Sequence, residues 1–270
     1  MTDNSFVSLL IVTAVAVVVF LVLRKFKIPL VGSMALITGA VKSGKTTFSL
    51  ALAIRNYKRA LRKWRIRKFF CKLFFRPIPE KPLFYSNVPV AFPYVKVTKA
   101  QLMRKERFAY GSVVYLSEAS LVMDNSLYKD EEFTEQIMLL CKLFGHETRG
   151  GLLIFDTQAI GDLPAVTRRC LGQTFYVHHI TKWIPFFLVA YVKEQRYSED
   201  GSVVQVETND SNNGDYQRVL MLKSTWKKFD CYCYSCLTDN KPVDTHLVLN
   251  NRRTRDLKAR EIVSFRKWRF

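Results

Sequence analysis

An α/β fold built on a doubly wound, mostly parallel sheet is what this chain predicts, and three observations predict it. Strand-like apolar runs alternate with helix-like ones from about residue 33 to residue 178. The strand-like runs are short and nearly continuous in Val, Ile, Leu and Phe, as strands buried on both faces require. A G-x-x-x-x-G-K-[ST] pattern, the signature of a phosphate loop, occupies residues 39–46, between the first such strand and the first helix. Strand, glycine loop and helix in that order place a phosphate at a helix N-terminus.

The chain begins with a different kind of segment. Residues 6–23 form an uncharged run of eighteen residues in which only Ser8 and Thr13 are polar. At about 1.5 Å per residue a helix of this length nearly spans a bilayer core of roughly 30 Å. A cleaved signal peptide would carry positive charge before the run and small residues after it. Here only Asp3 is charged before it, and Arg24, Lys25 and Lys27 follow. The positive-inside rule then sets the N-terminus outside and everything from Arg24 onward in the cytoplasm. The expected organisation is a membrane anchor at residues 1–28, a phosphate-loop core at 29–197 with a basic insertion at 55–76, and a C-terminal extension at 198–270.

The elements of the core follow in turn. Met34, Ala35, Leu36, Ile37 and Thr38 make the first buried strand, and Gly39, Ala40, Val41, Lys42, Ser43, Gly44, Lys45 and Thr46 make the loop. The glycines allow backbone N–H groups to turn inward around a phosphate. Lys45 would neutralise the β/γ-phosphates of ATP, and Thr46, with Thr47 behind it on the helix, would offer a hydroxyl to Mg²⁺. The helix runs into residues 55–76, which hold ten Lys or Arg, no acidic residue, and Trp64, Ile66, Phe69, Phe70, Leu73, Phe74 and Phe75. That mixture suits an anionic membrane surface, the phosphates and bases of DNA, or a solvated helix face with its apolar side on the core. Pro77, Pro79 and Pro82 end it.

Strands are expected next at residues 83–88 and 112–116, the second delivering Ser117 and Glu118 at its carboxyl end. A helix over 131–144 is set by Phe133, Ile137, Leu140 and Cys141 at helical spacing. A strand at 151–155 ends in Asp156, Thr157 and Gln158. A helix at 163–171 carries Arg168 and Arg169, and strands follow at 173–178 and 186–192. Ligands of such sheets bind at the carboxyl ends of the strands, where Gly39, Glu118 and Gln158 all fall.

Hydrolysis of ATP needs a phosphate cradle, Mg²⁺, an oriented water and a cation for the developing charge. Glu118 is the candidate for orienting water. The aspartate expected beside it near Mg²⁺ is replaced by Ser117; either the Ser117 hydroxyl would hold a metal-bound water, or Glu118 would serve both roles. Gln158 would sense the γ-phosphate, and Arg168 or Arg169 would reach a neighbouring subunit's phosphate.

Composition bounds the partners. Lys and Arg number 42 against 23 Asp and Glu, a net charge of +19, which favours phosphate-rich partners. Residues 251–270 repeat the basic theme with eight Lys or Arg. Of six cysteines, Cys233 and Cys236 form one C-x-x-C with no second pair at zinc-site spacing, so buried, reduced thiols are expected.

The order of these motifs resembles the zonula occludens toxin (Zot) family, the filamentous-phage assembly ATPases. Phe84, Tyr85, Ser86, Asn87, Val88 and Pro89 resemble its "YSN-[IV]-P" strand, Glu118 and Ala119 its "DEA" motif, and His146, Thr157, Gln158, Arg168 and Arg169 its "RH…TQ…R" run. Residues 227–235 are similar to its "K-x-Y-D-[TS]" segment. Ser117 and Gly145 depart from the pattern, and the apolar run precedes the core, whereas many members place it after. The resemblance implies an oligomeric ring in the host inner membrane that uses ATP to extrude single-stranded phage DNA while coat proteins assemble around it.

Overall fold

The computed structural model describes residues 8, 12–14, 29, 31–122, 131–158, 160–163, 165–184, 187–197, 203–204 and 216–228. The apolar run at 6–23 lies almost wholly outside them, as do Cys231, Cys233, Cys236 and residues 251–270. No helix among the described residues is long and apolar enough to cross a membrane.

Strand β1 (Met34–Thr38) is buried at every residue, and its side chains alternate between two cores. Ala35 and Ile37 join one with α1 (Lys45–Leu73); Met34 and Leu36 join the other. This period of two is the cause of the layered architecture, because a strand apolar at every position must be covered on both faces. Strands β2 (Phe84–Ser86), β3 (Val95–Lys96), β4 (Val113–Leu116) and β5 (Leu152–Asp156) follow, with the short helix α2 (Lys99–Leu102) between β3 and β4. Helix α3 (Ala119–Val122) leaves the end of β4, and α4 (Glu131–Glu147) packs Phe133, Ile137, Leu140 and Phe144 on the face opposite α1. Helix α5 (Ala165–Cys170) leads into β6 (Gln173–Ile184), and β7 (Phe187–Tyr197) turns back beside it. Helices thus cover both faces, and the expected doubly wound sheet is what forms.

The strand order is β3-β2-β4-β5-β1-β6-β7, and the first six strands are parallel. β7 is antiparallel to β6, and β8 (Val203–Val204) and β9 (Gln217–Leu222) both pair with β7. β9 therefore brings the C-terminal extension into the core's own sheet. Arg55 of α1 fixes it there, donating from Nη2 to the Leu220 carbonyl at 2.9 Å.

Sequence periodicity foresees β1, β4, β5 and α4 within a few residues. It does not foresee β3, α2 or β9, which are short or sit in polar surroundings. The ribbon of β6 and β7 is also longer than expected, twelve and eleven residues.

Candidate functional site

The strand order sets the site. β5 lies between β1 and β4, so the ends of all three parallel strands stand side by side. β1 delivers the glycine loop, β4 delivers Ser117 and Glu118, and β5 delivers Asp156 between them.

The loop closes through Ser43 N donating to the Ala40 carbonyl at 3.1 Å, and Phe48 N begins the helix on the Gly44 carbonyl at 3.0 Å. Gly44 is the N-cap with φ +89, and a Cβ there would lie 2.3 Å from Ile180 Cδ1, so only glycine fits. Among the described residues no side chain caps α1, and its first turn holds no acidic residue. Its free N–H groups and dipole are therefore directed at whatever anion enters the loop. Ser43 Oγ, buried inside the loop, has no hydrogen-bond partner among the described residues. A buried hydroxyl without a partner is costly unless a ligand completes it. A Cβ at Gly39 would meet Ser43 Oγ and the Val177 carbonyl, both at 2.7 Å, so the cradle has no room for a side chain there. These features fit a phosphate.

Lys45, first residue of α1, is almost fully buried; its Nζ lies 2.9 Å from Glu118 Oε1 and 3.9 Å from Asp156 Oδ1. Asp156 is fully buried, and four donors converge on it. Ser49 Oγ and Tyr115 OH donate to Oδ2 at 2.7 and 2.6 Å, and Ser117 Oγ and the Glu118 N–H donate to Oδ1 at 3.2 and 2.9 Å. Burial, and then the Asp156 carboxylate beside it, holds the Tyr115 phenol well above its usual range, so it stays a donor.

Glu118 has φ +47, a left-handed conformation that costs a non-glycine residue roughly 1–3 kcal/mol. Two contacts hold the strained turn. One is the Glu118 N–H to Asp156. The other is Asn87, which accepts from Ser117 N at 2.8 Å and donates to the Ser117 carbonyl at 2.9 Å. Asn87 follows β2, the strand on the far side of β4. The turn that aims Glu118 at the loop is therefore gripped from both neighbouring strands.

The remaining expected residues divide as follows. Thr46 and Thr47 are half-buried on the first turn of α1, and Ala40, Val41 and Lys42 are exposed at the loop tip. Gln158 is exposed two residues beyond Asp156. Arg168 is half-buried on α5, and its buried Nε has no hydrogen-bond partner among the described residues. The side chain of Arg169 lies outside the described residues. Ser117 is present in the site, its hydroxyl proton on Asp156.

Sequence reasoning missed Asp156, Tyr115, Ser49 and Asn87. The signal for Asp156 was available, an acidic residue ending an apolar strand, but which strand stands beside β1 is a property of the fold.

No protein-family model matches this sequence, and no curated protein matches it. Three solved structures illustrate what the fold is similar to. The N-terminal domain of the zonular occludens toxin from Neisseria meningitidis is 13% identical, with 74% of this chain and 100% of that one covered and a TM-score of 0.40. The genome packaging NTPase B204 from Sulfolobus turreted icosahedral virus 2, in complex with ATP-gammaS, is 13% identical over 60% of this chain and 96% of that one, with a TM-score of 0.31. A KaiC-like protein from Pyrococcus horikoshii is 13% identical over 70% of this chain and 89% of that one, with a TM-score of 0.34. Likeness at this level decides nothing about function, which rests on the site itself.

Proposed function

We propose that this chain is a membrane-anchored ATPase that drives assembly and extrusion of a filamentous phage, as its motif order implies. The observation that carries the nucleotide part is the Lys45–Glu118 pair over an uncapped glycine loop, organised by the buried Asp156.

The residues suggest a sequence of events. Glu118 is partly open to solvent, so its carboxylate can be rehydrated when the pair opens. Phosphate oxygens carrying several charges, entering the loop, compete for Lys45 with stronger charge-assisted bonds. Lys45 then turns to the phosphates and Glu118 is released, while Asp156 and Asn87 keep its backbone in place. Glu118 now accepts a hydrogen bond from water and orients it toward the γ-phosphate. The Thr46 hydroxyl would hold Mg²⁺, with Ser117 bonding one of its waters. The ion, when bound, would neutralise charge developing on the phosphates. Gln158 would sense the γ-phosphate, and Arg168 or Arg169 would complete the site of the next subunit in a ring.

The anchor at 6–23 would hold the protein in the host inner membrane with its N-terminus outside and the site in the cytoplasm. Its cargo would be single-stranded DNA, passed to coat proteins. The test is ATP turnover of the wild type and Glu118→Gln, with and without DNA. The proposal expects turnover stimulated by single-stranded DNA and lost in Glu118→Gln, with ATP binding kept. Stimulation by duplex DNA alone would indicate a packaging or conjugation-type translocase. One observation favours a second reading, a scaffold that binds nucleotide without turning it over: Ser117 stands where an aspartate is expected before Glu118. Equal near-zero turnover in both proteins, with binding intact, would establish that reading.

A further inference from the structure

Helix α1 is two helices in function. Over its first half the residues facing the core are Leu50, Ala53, Ile54, Tyr57 and Leu61, all buried. Past Leu61 the apolar stripe changes sides. Ile66, Phe69, Phe70, Leu73 and Phe74 recur at i, i+3, i+4, i+7 and i+8, and each is half exposed or more. Tyr57 and Ile66 are nine residues apart, about two and a half turns, so they point in opposite directions. The inner side of the distal half is instead taken by Trp64, which donates to the Pro79 carbonyl at 2.9 Å, with Lys68 Nζ 4.9 Å from its ring. The exposed stripe is therefore no continuation of the core-facing one. Within it Phe70 packs against Phe69 and Phe74, with centroids 5.8 and 6.5 Å apart.

Charge selects the occupant. Arg62, Lys63, Arg65 and Arg67 flank the stripe with Arg76 at its end, Lys68 and Lys72 add charge on the opposite side, and no acidic residue interrupts them. Two anionic partners fit that charge, but only one fits the stripe. Ile66 and Leu73 have no ring to stack on a base, whereas acyl chains accept them as readily as Phe. The basic side chains can extend their heads to lipid phosphates while their stems lie along apolar surface.

Topology puts the stripe at a suitable pole. α1 starts at the carboxyl end of β1 and, at 29 residues, is about 44 Å long, so it overshoots the five-residue strand it packs against. Its tip emerges beyond the amino ends of the strands, where the chain also enters β1. The sequence just upstream of that entry is Arg24, Lys25 and Lys27.

The end of the helix adds a further observation. Phe75 is 97% exposed and has φ +53, at the position where helices favour glycine. Arg76 N bonds back to the Cys71 carbonyl at 2.8 Å, which fixes the left-handed turn. A large apolar residue sits there against backbone preference and touches solvent on nearly all sides.

From these observations we infer that the distal half of α1, residues 62–76, lies in the headgroup layer of an anionic membrane, with Ile66, Phe69, Phe70, Leu73, Phe74 and Phe75 inserted. The inference goes beyond nucleotide hydrolysis and does not depend on it.

The experiment uses the full chain reconstituted in vesicles containing brominated lipid, with about 30 mol % phosphatidylserine or none, and follows the fluorescence that Phe70→Trp adds to the wild-type signal. The added fluorescence should fall at least about twofold with the anionic lipid and recover in high salt. Replacing Arg62, Lys63, Arg65 and Arg67 by Gln should weaken the quenching, because each basic residue near the surface contributes about fivefold to binding. Phe75→Gly separates binding from folding: it should raise Tm by relieving the left-handed turn, yet reduce quenching. Equal, absent quenching in both lipids would overturn the inference. So would a stripe that ignores bromolipid but responds to single-stranded DNA, which would make it a DNA grip.

Discussion

Asp156→Asn is the substitution that most directly tests how this site is built. It keeps the shape of the side chain and removes its charge. Four donors lose an ionised acceptor, at 2.6, 2.7, 2.9 and 3.2 Å. A hydrogen bond to a charged group is worth about 1.5–3 kcal/mol and a neutral one about 0.5–1.5, so each of the shorter three weakens by roughly 1 kcal/mol. The new amide NH₂ must also face donors on one side. The tolerable choice turns it toward Ser49 and Tyr115, whose hydroxyls can rotate and accept, and leaves its oxygen to the Glu118 N–H. Lys45 loses a carboxylate at 3.9 Å as well. The expected destabilisation is about 3–4 kcal/mol, a large part of the ~5–15 kcal/mol a domain has. Urea unfolding followed by far-UV circular dichroism reads it directly, and ATP turnover should fall with it because one of the two holds on Glu118 is weakened. An Asp156→Asn protein within about 0.5 kcal/mol of wild type, with turnover unchanged, would refute the reasoning.

Three shorter predictions follow from the same geometry. Lys45→Ala should weaken ATP binding by about 2–5 kcal/mol, read by calorimetry, while leaving the circular dichroism spectrum of the fold unchanged. Gly44→Ala meets both the positive φ and Ile180 at 2.3 Å, so it should cost about 2–3 kcal/mol of stability and lose ATP binding; unaltered affinity would mean the loop is built differently. Burial, and then the charge of Lys58, brings the Lys228 ammonium down to about 8. Because its folded value is depressed, the charged form is disfavoured in the native state, and the penalty is present in full below about pH 8. It is relieved as pH rises from there toward the ordinary lysine range, where the unfolded chain binds more protons. Lys228→Met should therefore raise the urea midpoint at about pH 7 and change it little at about pH 10.5, and a pH-independent difference would dismiss the assignment.

What the sequence made legible is what is local. The glycine loop could be read because its geometry is dictated by residues within eight positions, and β1, β4 and β5 because strands covered on both faces are written as unbroken apolar runs. The buried heart of the site is not local. Asp156 is 107 residues from Ser49 and 41 from Tyr115, and only the order β1-β5-β4 brings them together. Asn87 was visible as part of a motif, but its grip on Ser117 depends on β2 lying beside β4. The two-sided character of α1 was written in the sequence as a stripe that switches faces after Leu61. Residue types alone blurred it, because both halves are equally rich in apolar residues.

The same network explains Ser117, which on sequence alone looks like a missing aspartate. Ser117 Oγ lies 3.2 Å from Asp156 Oδ1, and both residues are buried. A carboxylate at position 117 would stand about that close to a second one, where two like charges cannot both stay ionised. Position 117 and position 156 can therefore hold one carboxylate between them, and β5 supplies it. Restoring the expected motif by Ser117→Asp should accordingly do harm: about 2–4 kcal/mol of stability lost and no gain in ATP turnover. The exchange of roles, Ser117→Asp with Asp156→Ser, should recover much of that loss, because it returns the count to one. Urea midpoints of the two single variants and the double variant form a cycle, and a favourable coupling of more than about 1 kcal/mol is the expected result. A Ser117→Asp protein as stable as wild type and faster in turnover would show that the site does lack its aspartate and that Asp156 is only a structural residue beneath it.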